Sequence, residues 1–183
     1  HQFTRLDRGR MPCNLVAVQP GQEIELSRET VVTVAATRHS IPSQSYIVWQ
    51  RRRKLKPELA GLTGAEIRDL RLSGAEVSHE QRSPQVAYLG DSAPEGLDDC
   101  PAMFEAEILI LEMTFVAPSH RKDKIHKSGH THLDDIIARR ERFHNQRIIA
   151  AHFSTRYGAK RIRTLVEKRL PDMLDGRLHL WLA

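Results

Sequence analysis

Apolar residues fall along this chain in short, dense runs more often than at helical spacing. Val31-Val32-Thr33-Val34-Ala35-Ala36, Val86-Ala87-Tyr88-Leu89 and Ile148-Ile149-Ala150-Ala151 are rich in β-branched or small residues and bounded by polar or turn-forming ones, which predicts strands. By the same pattern residues 15–18 and 23–26 read as short strands around a Pro20-Gly21 turn, and residues 31–37, 45–50, 86–89, 107–111, 147–151 and 178–182 as further strands. The run 107–111 is apolar after its first residue, as a strand buried on both faces should be. Helical signals are fewer. Thr63 with Glu66 three residues later makes a capping box, and Gly74 can end the helix it opens. Thr131 with Asp134 predicts a second box, opening a helix whose apolar side is Leu133, Ile136, Ile137 and Phe143. A last helix is expected from Ala159 to Leu170, where Pro171 stops it. Strands alternating with helices in the second half indicate a layered α/β fold in one domain over residues 1–183, with residues 51–84 as a polar excursion from the sheet.

Composition narrows the class. The chain is 40% hydrophobic and 5% aromatic, and none of its apolar runs has the length that crosses a bilayer. Lys and Arg exceed Asp and Glu, giving a net charge of +5, and the excess is clustered at Arg51-Arg52-Arg53-Lys54-Leu55-Lys56, at Arg139-Arg140-Glu141-Arg142 and at Lys160-Arg161-Ile162-Arg163. Such faces attract polyanions such as RNA, or are ordinary solvated surface. Cys13 and Cys100 stand apart from each other and from any His pair, which suits reduced, incidental thiols in a cytoplasmic protein. Residue 1 is His and the first Met is Met11, so the expectation is that further sequence belongs upstream.

The chemistry lies where the strands end. Three apolar runs lead into His39, Asp91 and His152. A strand that ends on such a residue delivers it to the rim of a sheet, where loops leave room for a ligand. Two imidazoles and a carboxylate suit zinc. A carboxylate can also bridge two cations, and two metals can activate a shared water and clamp a phosphodiester. Glu112 stands at another strand end, and His130 precedes a helix start, where an anion would be favoured and a proton could be donated to a leaving oxygen. His130-Thr131-His132-Leu133-Asp134-Asp135 imitates an HxHxDH metal motif, but a charged loop leads into it and a helix follows, so it is not read as one.

In order along the chain, Arg38-His39-Ser40-Ile41-Pro42-Ser43-Gln44, residues 55–77, Leu89-Gly90-Asp91-Ser92, Leu111-Glu112-Met113-Thr114-Phe115, Ser128-Gly129-His130-Thr131-His132-Leu133 and His152-Phe153-Ser154-Thr155-Arg156-Tyr157 resemble tRNase Z, in its short, plant-type form. The resemblance runs from about Val31 to the C-terminus and implies the metallo-β-lactamase fold, an αββα sandwich of which this chain is mainly the second βα half. It implies two zinc ions, with His39 and His152 as ligands to separate ions and Asp91 between them. His130 would be the catalytic histidine, Glu112 its orienting partner, and Arg156 with Ser154 would meet the substrate. It implies a nuclease that removes the 3′ trailer of precursor tRNA, with the excursion 51–84 in its substrate-binding part; a homodimer is a separate expectation. The family's HxHxDH belongs upstream of His39, where residues 1–38 hold only His1. A dinuclear hydrolase of another phosphodiester or ester, and a non-catalytic RNA-binding relic of the fold, remain the alternatives.

Overall fold

A computed structural model describes residues 15–118 and 122–182; Met11 and Cys13 lie outside the described residues. One seven-stranded sheet carries the fold, in sequential order: β1 (Glu23–Ser27), β2 (Thr30–Ala36), β3 (Gln44–Leu55), β4 (Ser78–Tyr88), β5 (Ile108–Glu112), β6 (Arg147–Ala151) and β7 (Leu178–Leu180). Pairing is antiparallel from β1 to β4 and parallel from β4 to β7. The change follows from the connections. A tight turn joins β1 to β2, a loop β2 to β3 and a segment holding a helix joins β3 to β4, whereas helical crossovers join the last four strands, as parallel neighbours require.

The helices are α1 (Gly64–Leu72), α2 (Glu95–Asp98), α3 (Ala102–Glu105), α4 (Lys122–Ser128), α5 (Leu133–Ala138) and α6 (Ala159–Arg169). One sheet face, with Ile47, Ala87, Leu89, Leu109, Leu111, Ile148, Ala150 and Leu178, packs against Leu97, Met103, Phe104, Leu133, Ile136, Ile162 and Val166 to form the core. Ile162 and Val166 lie four apart on α6, so a single turn of spacing turns both inward. Truncating a residue such as Leu109 to Ala would cost about 2–5 kcal/mol. Asp98 ties α2 to the end of α5: Arg139 Nε donates to it at 3.0 Å, and Arg142 donates as well.

The opposite face is less covered. Tyr46, Val48, Val86, Ile108, Ile110 and Ile149 alternate with the core positions and are half-buried, and Tyr88 is 47% exposed. Parallel sheets are ordinarily covered on both faces.

Several expectations change. Residues 15–18 form no strand, and Leu15 and Val16 are exposed. The excursion does not leave the sheet at residue 51: β3 and β4 go on pairing out to Leu55↔Ser78, forming a two-stranded arm with α1 near its tip. Polar residues continue both strands because hairpin pairing needs no apolar face once strands leave the body. The Thr63–Glu66 capping box and Gly74 after the helix are as expected. The second box is shifted by one: His132 is the N-cap of α5 and Asp135 closes it, so Thr131 precedes the cap. Residues 122–128, read as loop, are α4.

Candidate metal centre

Because β3 runs antiparallel to both β2 and β4, strands β2, β4, β5 and β6 all point the same way. Ligand sites of open α/β sheets gather outside the carboxyl ends of such strands. His39 follows β2, Asp91 follows β4, Glu112 ends β5 and His152 follows β6. The expected delivery of these residues to one rim is what the fold does. The His39 and His130 ring centroids are 5.1 Å apart, those of His130 and His152 5.7 Å, and Asp91 Oδ1 is 3.6 Å from His152 Nδ1.

Local structure explains each placement. Gly90, at φ 69°, takes the left-handed turn that lets Asp91 leave β4 sharply, and the Asp91 carbonyl accepts from Ser43 Oγ at 2.9 Å. His152 itself has φ 57°. A non-glycine side chain in that region costs about 1–2 kcal/mol, and such strain persists mainly where function holds it. Gly129, at φ 86°, backs directly onto His39. Buried Ser92 joins three loops: its Oγ accepts from the Arg38 amide at 2.9 Å, its carbonyl from Thr131 Oγ1 at 2.9 Å, and its amide donates to Glu112 Oε1 at 3.0 Å.

Glu112 is the pivot. It is 3% exposed, and both oxygens are in use. Oε1 accepts from Ser92 N and from His130 Nδ1, the latter at 2.9 Å; Oε2 accepts from the Thr114 amide at 3.2 Å and from the Thr114 hydroxyl. Glu112, His130 and His152 bring donor atoms within 4.8 Å of one another, a grouping with metal-site geometry. Four hydrogen bonds leave the carboxylate no lone pair for a cation, however, so its role here is to orient. Thr114 carries that orientation onward, its Oγ1 lying 3.0 Å from His152 Nδ1. Since the hydroxyl hydrogen goes to Glu112, His152 Nδ1 must be the donor in that contact, which fixes its tautomer and leaves Nε2 open. His39 Nδ1 lies 2.8 Å from the Ile41 carbonyl and 3.2 Å from the Ile41 amide; the shorter contact has Nδ1 donating, which leaves Nε2 without a hydrogen bond among the described residues. Open imidazole nitrogens beside a partly exposed carboxylate are a donor set that fits zinc. The roles of Thr114 and Ser92 were invisible in the sequence, where a threonine and a serine at strand ends carry no distinguishing pattern.

His132 turns away from the cluster. It is buried, with Nε2 2.9 Å from the Ala117 carbonyl and Nδ1 accepting from the Asp134 amide at 3.0 Å. An anion-favouring helix mouth beside His130 is not found, because α5 is short and its first turn already holds Asp134 and Asp135. Ser154 accepts from the Arg156 amide, and Arg156 is exposed on the turn after β6. Cys100 is a free thiol, and burial pushes its pKa up.

The basic runs divide. On the arm, Arg51 pairs with Glu25 and Arg53 with Glu76, while Arg52 and Lys54 face the other way with no ion pair among the described residues. Arg139 and Arg142 hold Asp98 and Arg140 meets Asp172, so that second cluster is a structural clamp rather than a phosphate-binding face.

A rim of imidazoles and carboxylates on this mixed sheet defines a protein of the metallo-β-lactamase fold. YhfI, a metallo-β-lactamase-fold protein of Bacillus subtilis, superposes with a TM-score of 0.56 at 14% identity, over 98% of this chain and 57% of its own. By sequence the chain is similar to tRNase Z. It is 35% identical to tRNase Z TRZ1 of Arabidopsis thaliana over 95% of this chain and 62% of the relative. It is 34% identical to the chloroplastic tRNase Z TRZ2 of the same plant over 84% of this chain and 44% of the relative. The chain thus spans between about two fifths and three fifths of these relatives' lengths. No model of a known protein family matches it.

Proposed function

We propose that this chain forms one side of a zinc-dependent ribonuclease centre that removes the 3′ trailer of precursor tRNA. The observation that carries the reading is the buried Glu112 carboxylate, which orients His130 directly and His152 through Thr114, on a rim shared with His39 and Asp91. In this reading His39 and His152 would hold zinc through their Nε2 atoms, with Asp91 as the carboxylate ligand. A bound zinc pair supplies an attacking water ionised near neutral pH. His130, held at Nδ1 by Glu112, keeps Nε2 free to give a proton to the departing 3′ oxygen of the tRNA. Arg156 and Ser154, on the turn following His152, meet the substrate phosphates. Three ligands do not fill two tetrahedral sites. The remaining donors are assigned to a second βα half carrying HxHxDH, and the half-buried sheet face of Val48, Val86, Ile108 and Ile110 is the surface it would cover.

The arm 51–84 belongs to substrate binding in the same proposal. It leaves the sheet at the end opposite the metal centre. With about 3.3 Å per residue over β4, its far end is on the order of 30 Å from Asp91, so an RNA touching both must span that length.

The test is metal content and cleavage of a labelled precursor tRNA by the full-length protein and its His39→Ala, Asp91→Ala and His152→Ala variants. Lower zinc stoichiometry and lost cleavage are expected in each. Unchanged stoichiometry in all three would remove the metal-centre reading.

A further inference from the structure

A cavity of about 300 Å³ opens next to His152, between the turn after β6, the start of α6 and the residues after β7. Its walls include Phe153, Ser154, Thr155, Tyr157 and Trp181. Trp181 is the unusual member. Its backbone amide donates to the Ala150 carbonyl at 2.8 Å, which fixes it across from the last residues of β6, yet 68% of it is exposed. Large aromatic residues this open are costly in water unless something stacks on them.

Cations adjoin its wall residues in the sequence, at Arg156, Lys160 and Arg163. Arg51, Arg53, Arg82, Arg139, Arg140, Arg142 and Arg169 each have a carboxylate partner. Arg156, Lys160 and Arg163 are exposed and have no ion pair among the described residues, and the first turn of α6 contains no acid. The Arg161 guanidinium lies 5.7 Å from the centre of the Tyr157 ring. An exposed indole, hydroxyls and unpaired cations together form the pattern by which proteins hold single-stranded nucleic acid: bases stack, phosphates meet cations, and sequence matters little.

We infer that this cavity is a base-stacking subsite, in which Trp181 holds the face of an unpaired nucleotide flanking the bond cut at the metal centre. The inference rests on the ribonuclease reading above, and it adds a residue and a surface to it. Trp181 is a positioning residue here: it touches the substrate away from the reacting atoms and places the backbone at His152.

The experiment titrates full-length protein with a fluorescently labelled single-stranded pentaribonucleotide, and with the same oligonucleotide carrying one abasic position at each site in turn. Trp181→Ala should weaken binding roughly 5- to 150-fold at fixed salt, the range for losing one stacked base. Trp181→Phe should keep most of the affinity, and one abasic oligonucleotide should bind parent and Trp181→Ala equally. Because stacking involves no counterion release, the salt slope and the zinc content should not change. Affinity of Trp181→Ala within twofold of the parent would overturn the inference and assign the open indole to a protein contact, while leaving the ribonuclease reading intact. A loss that appears only as a reduced salt slope would overturn it too. Failure of the parent to bind any oligonucleotide would overturn the subsite too, while the ribonuclease reading would still stand or fall on zinc content and cleavage of precursor tRNA.

Discussion

A β-carbon placed on Gly129 would come within 2.3 Å of His39 Cα and 2.6 Å of the Arg38 carbonyl. The loop before α5 and the loop after β2 are therefore pressed backbone to backbone, and this contact sets how His39 meets His130. Gly129→Ala adds a left-handed alanine, about 1–2 kcal/mol, to an overpacked contact of about 1–3 kcal/mol. The expected result is a loss of about 2–5 kcal/mol in urea unfolding with the m-value unchanged, accompanied by weaker zinc binding. Stability within about 0.5 kcal/mol of the parent would show that the two loops are not packed in this way.

His130 and His132 are two residues apart and should fail differently. His130→Ala removes the group that Glu112 orients, so turnover on precursor tRNA should fall by on the order of 100- to 10,000-fold with zinc content near normal. From sequence alone His132→Ala would be mild. The structure revises that, because His132 is buried, caps α5 and meets the Ala117 carbonyl. Loss of an N-cap costs about 0.5–2 kcal/mol, and an orphaned carbonyl adds to it. A lower Tm with near-parental turnover per folded molecule is expected. Zinc lost from His130→Ala would instead make that histidine a ligand.

Asp98 gives the fold a pH dependence with a definite sign. Its hydrogen bond from Arg139, with further help from Arg142, holds its carboxyl below the usual carboxylate range, against the raising effect of burial. A depressed folded pKa adds stability that is present above the unfolded value, about 4, and is lost as pH falls through the folded one. Asp98→Asn should therefore cost about 1 kcal/mol near neutral pH, a modest figure because the pair is partly exposed. The difference from the parent should close as pH is lowered below about 4. A gap independent of pH in matched denaturant titrations would mean that packing, not charge, sets the value of Asp98.

Much of the centre was legible because strand ends are legible. Dense β-branched runs stopping at His39, Asp91 and His152 announced both the strands and their cargo, and parallel alignment of β2, β4, β5 and β6 then brought the cargo together. What stayed hidden depends on neighbours distant in sequence. Thr114 matters through a hydroxyl shared between Glu112 and His152, and Ser92 through bonds to two loops and to the end of β5. Neither leaves a periodic trace. The arm is hidden for a related reason: residues 51–54 are charged, and only pairing with residues 79–82 makes them strand.

That pairing also decides which cations on the arm are free to bind. Successive residues of a strand point to opposite faces, so Arg51 and Arg53 share one side and Arg52 and Lys54 the other. On the first side Glu25, Glu76 and Glu80 neutralise the arginines; on the second, Arg52 and Lys54 lie opposite Gln81 and His79, which bring no negative charge at neutral pH. If the arm grips RNA, it grips with the second side. Arg52→Gln and Lys54→Gln should each reduce the slope of log affinity against log salt by roughly 0.7–0.9 for precursor tRNA, one phosphate contact apiece, with little change in stability. Arg53→Gln should leave the slope nearly unchanged, since that guanidinium is already held by Glu76 at 2.9 Å. Equal slopes for all three variants and the parent would assign the whole arm face to solvent, and the tRNA contact would then have to lie elsewhere on the molecule.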